Sequence, residues 1–172
     1  MSFRRLYPVI YGLIIVQFLI LVMPASAAAS PRATVTIPAL DISQSIKEFP
    51  LKNSTWSISA WEKGIGHLAK TGWFDNPTNI VLAGHSIMPN GKPGIFAALD
   101  TLTIGDEIIL SNGDDERHYQ VFDVRVVSSD DIDVVMPTEQ EQLTLLTCEL
   151  GSFDSAHQDY TQRLVVMASR VN

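Results

Sequence analysis

The chain has 172 residues, with 12 Lys+Arg against 19 Asp+Glu and a formal net charge of −7. That length suits one ordinary domain. Apolar residues at 46% and charged residues at 18% are enough to build a core, which excludes a mainly disordered chain. Every acidic residue lies at or beyond Asp41, so the body of the chain repels phosphate backbones, and no nucleic-acid partner is expected.

Leu6 to Met23 is an 18-residue uncharged stretch preceded by Arg4 and Arg5. As a helix it would be roughly 27 Å long, close to the roughly 30 Å of a hydrocarbon core. The two arginines on its short side predict a cytoplasmic N-terminus with the rest of the chain outside. Ala25-Ser26-Ala27 is a small-x-small pattern of the kind signal peptidase cuts. Residues 1–29 therefore read either as a single-pass signal anchor in the cell membrane or as a signal peptide whose removal leaves a secreted domain. Residues 30–36 read as a linker and residues 37–172 as the working domain.

Within that domain the expected elements are short. Strands are expected around Val35–Ile37 and at Ile42–Ile46, with Trp56–Trp61 as a strand or its approach. Gly64-Ile65-Gly66 reads as a chain break. Asn79–Gly84 is a nearly continuous apolar run, as for a buried strand. Apolar residues at Ile95, Phe96, Leu99 and Leu102 suggest a short helix. Glu107–Leu110 and Tyr119–Val127 flank the turn signal Asn112-Gly113-Asp114. An acidic loop over 128–142 leads to two last strands, Leu143–Cys148 and Leu164–Ala168. Many short strands with one or two short helices argue for a mainly β barrel or sandwich.

The single cysteine, Cys148, can form no disulfide within the chain. It ends a buried-looking strand and opens onto a polar loop, where a rigid scaffold commonly displays reactive groups. A thiol becomes a useful nucleophile only beside a base or a cation. His85 directly follows the apolar run ending at Gly84, a residue expected to let the backbone turn sharply. Arg163 opens the strand after Cys148, and a hairpin of those two strands would bring it close. Each residue also has an ordinary structural role: small buried hydrophobe, turn histidine, solvated charge. His118 lies in a charged turn, His157 in the loop after Cys148, and His67 just after the glycine-flanked Ile65. One cysteine and four dispersed histidines show no metal-ligand spacing.

Thr144-Leu145-Leu146-Thr147-Cys148 resembles the Thr-Leu-x-Thr-Cys signature of the sortases. Asn79–His85 resembles the strand ending in the sortase histidine, and Gln162–Val166 the strand start bearing the sortase arginine. The motifs come in the family's order, and the resemblance runs from about Val35 to the end of the chain. It implies an eight-stranded β-barrel of the compact class D or E type, working as a cysteine transpeptidase without cofactor or metal. Such enzymes cleave a C-terminal sorting signal, often Leu-Pro-x-Thr-Gly, after its threonine. They pass the acyl group to an amine of a cell-wall precursor or a pilin lysine. The implied partners are thus surface proteins bearing such signals and the acceptor amine. The implied roles are Cys148 as nucleophile, His85 as acid and base, Arg163 at the oxyanion, and Thr147 near the oxyanion or substrate. The acidic 128–142 loop would wall the substrate groove. Glu149, directly after the nucleophile, would oppose thiolate formation unless it faces away. Two other readings compete. An L,D-transpeptidase would share the chemistry, but its usual Ser/His-Gly-Cys surroundings are absent. An exported β-barrel binding module would keep Cys148 buried and unreactive.

Overall fold

Ile80–Ala83 and Leu143–Leu145 carry no regular polar alternation because both faces of these segments are covered: inward by the barrel core, outward by flanking loops. The computed structural model describes residues 32–59 and 62–171. The expected anchor or signal segment, the first two residues of the expected linker and the pair Ala60 and Trp61 lie outside these residues. Among the described residues no helix is long and apolar enough to cross a membrane.

Among the same residues, eight strands close into a barrel. They are β1 (Thr34–Ile37), β2 (Ile42–Phe49), β3 (Ile65–Leu68), β4 (Asn79–Ala83), β5 (Glu107–Asn112), β6 (Asp115–Ser128), β7 (Gln142–Cys148) and β8 (Gln162–Val171). Their order around the barrel is β1-β2-β3-β4-β7-β8-β6-β5, with β2·β3 and β4·β7 parallel and the other pairs antiparallel. Closure removes the sheet edges that an open sheet would leave unpaired. The interior is filled by side chains such as Ile37, Leu82, Ile108, Leu110, Tyr119 and Leu145.

Three expectations are corrected. Gly64-Ile65-Gly66 is a break only at Gly64, a bend, since β3 starts at Ile65 and runs through Gly66. A Cβ on Gly66 would lie 2.4 Å from the Phe49 ring, so this glycine is a packing choice inside a strand. The helix expected over 95–102 is a run of tight turns, with only Leu99–Thr101 forming a 3₁₀ turn. Leu99 N–H donates to the Phe96 carbonyl and Leu102 N–H to that of Leu99, so the apolar spacing follows the three-residue repeat of a 3₁₀ path. β1 opens at Thr34, inside the stretch read as linker. Three further 3₁₀ turns, Pro38–Leu40, Asp133–Val135 and Leu150–Ser152, accompany the strands in place of α-helices among the described residues.

The barrel end holding the starts of β4, β6 and β7 is closed by charge. Glu141 accepts from Tyr119 Oη, from Arg117 Nη1 at 2.9 Å and from Arg170 Nη1 at 2.7 Å. Burial works against ionisation of Glu141, but these donors outweigh it and hold its carboxyl below the ordinary range. Arg117 also pairs with Asp115 and lies over the Phe74 ring. The buried charges at this end are satisfied by one another, and His85, Cys148 and Arg163 lie at the other end.

Candidate active site

β4 and β7 run parallel in register, Ala83 beside Leu146. Continuing the register sets His85 just past the end of β4 beside Cys148 at the end of β7. Two bonds hold that alignment: Gly84 N–H donates to the Leu146 carbonyl at 3.2 Å, and Thr147 Oγ1 donates to the Gly84 carbonyl at 2.8 Å. On the other side β8 pairs antiparallel with β7, Arg163 directly opposite Cys148. Residues facing each other across an antiparallel pair share a face. Three adjacent strands thus deliver His85, Cys148 and Arg163 to one end of the barrel.

Cys148 and His85 line one cavity of about 600 Å³, with Met88 and Pro89 from the loop after His85 and Phe153 and Tyr160 from the loop after Cys148. A narrower groove of about 260 Å³ runs over the outer face of the barrel, lined by Trp56, Ile58, Leu146, Ile132 and Val134, and reaches Arg163. Leu146 and Cys148 stand on the same face of β7 because side chains alternate along a strand.

Burial pushes the Cys148 thiol above its ordinary pKa. The Arg163 guanidinium pulls it back, and the Asp159 carboxylate pushes it up again. Arg163 Nη1 donates to the Tyr160 carbonyl at 2.6 Å and the Gln162 carbonyl at 3.1 Å, while Nη2 lies 3.8 Å from Asp159 Oδ1. The guanidinium is therefore fixed by two carbonyls next to the thiol, with one weak anionic competitor. His85 Nε2 lies 3.0 Å from the Ser59 carbonyl, an acceptor only, so Nε2 donates there and Nδ1 is the ring nitrogen left for proton exchange.

The glycine before His85 has a different role from the one expected. Gly84 has no left-handed backbone; its missing side chain admits Ile95 and Phe96, which a Cβ would meet at 2.7 and 2.9 Å. The loop after His85 returns over it so closely that a Cβ on Gly94 would lie 2.1 Å from the His85 carbonyl oxygen. Phe96 N–H donates to that same carbonyl at 3.0 Å, clamping the histidine backbone.

Thr147 is buried and points to the opposite face of β7 from Cys148, its hydroxyl spent on Gly84. Glu149 turns back to accept from Gly151 N–H at 3.3 Å and begins the Leu150–Ser152 turn. The carboxylate that acts on the thiol is Asp159, which carries no local sequence signal distinguishing it from its acidic neighbours. Ser59 and Gly94 are likewise visible only in three dimensions.

The remaining histidines stand apart. His67 is buried with Nε2 2.8 Å from the Gly72 carbonyl and its ring 4.2 Å from that of Trp73, and burial lowers its pKa. His118 is held by Glu107 and Glu116, and His157 by Asp154. Among the described residues no group of His, Cys, Asp or Glu could hold a metal ion.

Residues 35–171 match the family model of the sortase domain. The chain is 28% identical over 123 residues to Sortase D of Bacillus subtilis (strain 168), covering 71% of this chain and 59% of that protein. It thus spans about three fifths of the length of that relative. Among solved structures, a Clostridium perfringens Sortase D5 transpeptidase aligns with a TM-score of 0.65 at 23% identity, covering 83% of this chain and 79% of that one, a likeness of fold. A pilus-related Sortase C of Group B Streptococcus aligns with the same TM-score at 26% identity, covering 84% of this chain and 69% of that one.

Proposed function

The chain belongs to the sortase family, and from that premise we propose that it is a cysteine transpeptidase that cleaves a C-terminal sorting signal of the Leu-Pro-x-Thr-Gly type after its threonine and transfers the acyl group to an amine. The observation that carries this reading is the placement of the sole cysteine between His85 and Arg163 at three neighbouring strand ends.

His85 takes the Cys148 thiol proton, and the resulting thiolate attacks the threonine carbonyl carbon. The developing oxyanion is held by Arg163, whose planar, always charged guanidinium is already oriented by the Tyr160 and Gln162 carbonyls. The C–N bond breaks, His85 gives a proton to the leaving amine, and a thioester remains. An incoming amine attacks that thioester, gives its proton to His85, and the C–S bond breaks to return Cys148. Thr147 is a positioning residue in this scheme, holding Gly84 and hence the start of the His85 loop. The apolar groove along Leu146 suits the leucine and proline of the signal, with the 128–142 loop as one wall, as residues 129–135 line it.

The donor partners are surface proteins ending in such a signal, and the acceptor is an amine of a cell-wall precursor or a pilin. The charge and apolar pattern of residues 1–29 supports a domain outside the cytoplasmic membrane, held by a single-pass anchor with the N-terminus inside or, after cleavage near Ala27, secreted. Mass spectrometry of the native protein distinguishes the two by its N-terminus; full-length protein in the cytoplasm refutes both.

The deciding experiment incubates the full-length chain with a library of sorting-motif peptides and an amine, read by mass spectrometry. Cleavage after threonine, a thioester on Cys148 and its loss in Cys148→Ala are expected. Turnover by the alanine variant, with the fold intact, refutes the reading.

A further inference from the structure

Two separate depressions meet the reactive residues: Arg163 lines the apolar groove, and His85 lines the larger cavity. Met88 lines that cavity and also an adjoining depression of about 450 Å³. Its walls include Lys63, Asn90, Lys92 and Ile95, and no carboxylate lines it. Neither Lys63 nor Lys92 has an ion pair among the described residues; the nearby Glu62 is taken by Lys47 at 2.8 Å. Two unpaired ammonium groups around one concavity are conspicuous in a chain with 19 acidic and 12 basic residues.

The wall that carries Lys92 is also tied down. Met88 N–H donates to the Lys92 carbonyl at 2.8 Å, Lys92 N–H to Asn90 Oδ1 at 3.1 Å, and Gly94 N–H to the Ser86 carbonyl at 2.9 Å. The same loop clamps the His85 backbone, so the cationic wall and the imidazole keep a fixed relation. Local cations next to a catalytic opening raise the local concentration of anionic groups and orient them, in a salt-dependent way.

We propose that this depression is the anion-binding part of the acceptor subsite: Lys63 and Lys92 hold a carboxylate or phosphate carried by the same molecule whose amine resolves the thioacyl-enzyme. This rests on the transpeptidase reading. In the step served, the amine nitrogen bonds to the thioester carbonyl carbon, the amine proton passes to His85, and the C–S bond breaks to free Cys148. The depression lies on the His85 side, where the proton acceptor for that step stands, and it shares no residue with the apolar groove.

The test uses the full-length chain in detergent, acylated with a sorting peptide and offered three amines of equal length: one neutral, one bearing a carboxylate, one bearing a phosphate. Transfer to the anionic amines is expected to exceed transfer to the neutral one by about 2- to 30-fold, the range two surface charge contacts give, and to lose that advantage in high salt. In Lys63→Gln/Lys92→Gln the advantage vanishes while acyl-enzyme formation, which uses neither lysine, keeps its rate. The ratio of carboxylate to phosphate transfer assigns the anion to a peptide-type or a phosphate-bearing acceptor. Equal transfer to all three amines, or an advantage that survives the double substitution, overturns the proposal.

A binding arm separates this result from the fate of the transpeptidase reading. The phosphate-bearing amine is titrated into Cys148→Ala protein, and amide resonances of Asn90, Gly91, Lys92 and Gly94 are followed. Shifts there that disappear on replacing both lysines are expected, and their absence overturns the site. If they occur while no sorting peptide acylates Cys148, the transpeptidase reading falls and the anion site stands.

Discussion

Asp159 and Arg163 act on the Cys148 thiol with opposite signs, so Asp159→Asn and Arg163→Gln should move its titration in opposite directions. Asp159 favours the neutral thiol and Arg163 the thiolate, and Arg163 has the larger influence of the two. The Asp159 side chain is 70% exposed, so water screens it heavily, whereas the Arg163 side chain is 22% exposed. An exposed charge contact is worth about 0.2–1 kcal/mol, and 1.36 kcal/mol corresponds to about one pH unit of midpoint. Asp159→Asn should therefore lower the thiol midpoint by about 0.1–0.7 pH unit. Below the midpoint the thiolate population rises by about 1.4- to 5-fold. Thiolate nucleophilicity falls as its pKa falls, which offsets close to half of that gain on a logarithmic scale. The observable is accordingly the midpoint of the full pH profile of Cys148 alkylation, followed by mass spectrometry on the full-length chain, and not the rate at one pH. Arg163→Gln should raise the midpoint by more than Asp159→Asn lowers it. A midpoint that rises in Asp159→Asn, or falls in Arg163→Gln with the fold retained, refutes the electrostatic account of this thiol.

Arg163→Lys keeps the charge but not the two-carbonyl anchoring, so the alkylation midpoint should stay closer to wild type than in Arg163→Gln while acyl-enzyme formation drops by about 10²–10³; a wild-type acylation rate removes Arg163 from the oxyanion. Thr147→Val leaves the Gly84 carbonyl buried without its donor, a cost of about 1–3 kcal/mol and about 2–12 °C in Tm. Thr147→Ser should recover most of both stability and turnover, and equal losses in the two variants would show that the hydroxyl is not the operative group. Gly94→Ala forces a Cβ onto the His85 carbonyl and should cost about 1–3 kcal/mol, with turnover falling while Cys148 alkylation persists. Gly91→Ala on the same loop has open space around it and only a left-handed φ of 75° to strain, so turnover should be retained; comparable loss of turnover in both variants would refute the clamp on His85.

The mainly β class and several of its strands were legible wherever burial is regular, while the eight-stranded barrel was implied by the resemblance to the sortases. The apolar runs before His85 and Cys148 read as buried strands because both faces of β4 and β7 are covered, so no polar alternation interrupts them. The Gly113 turn between β5 and β6 was equally local, since a left-handed φ of 65° is a property of the residue itself. The resemblance of three ordered motifs to those of the sortases picked out Cys148, His85 and Arg163 as a candidate set. By contrast, β3 was invisible because the reason for Gly66 is the Phe49 ring, 17 residues upstream and brought to it only by the parallel β2·β3 pair. The helix expected after Gly94 became 3₁₀ turns because that segment is tied back to the His85 carbonyl by Phe96 N–H.

What the sequence by itself determined is therefore the class of fold and the identity of the candidate reactive residues, because strand burial and residue chemistry are written locally. Only the tertiary structure decided their relations. Arg163 faces Cys148 through an antiparallel register, His85 reaches it through a parallel one, and Asp159 opposes the thiolate in place of Glu149. Those relations depend on how distant strands pair, and strand pairing is set by closure of the whole barrel around a shared core, which no short window of sequence contains.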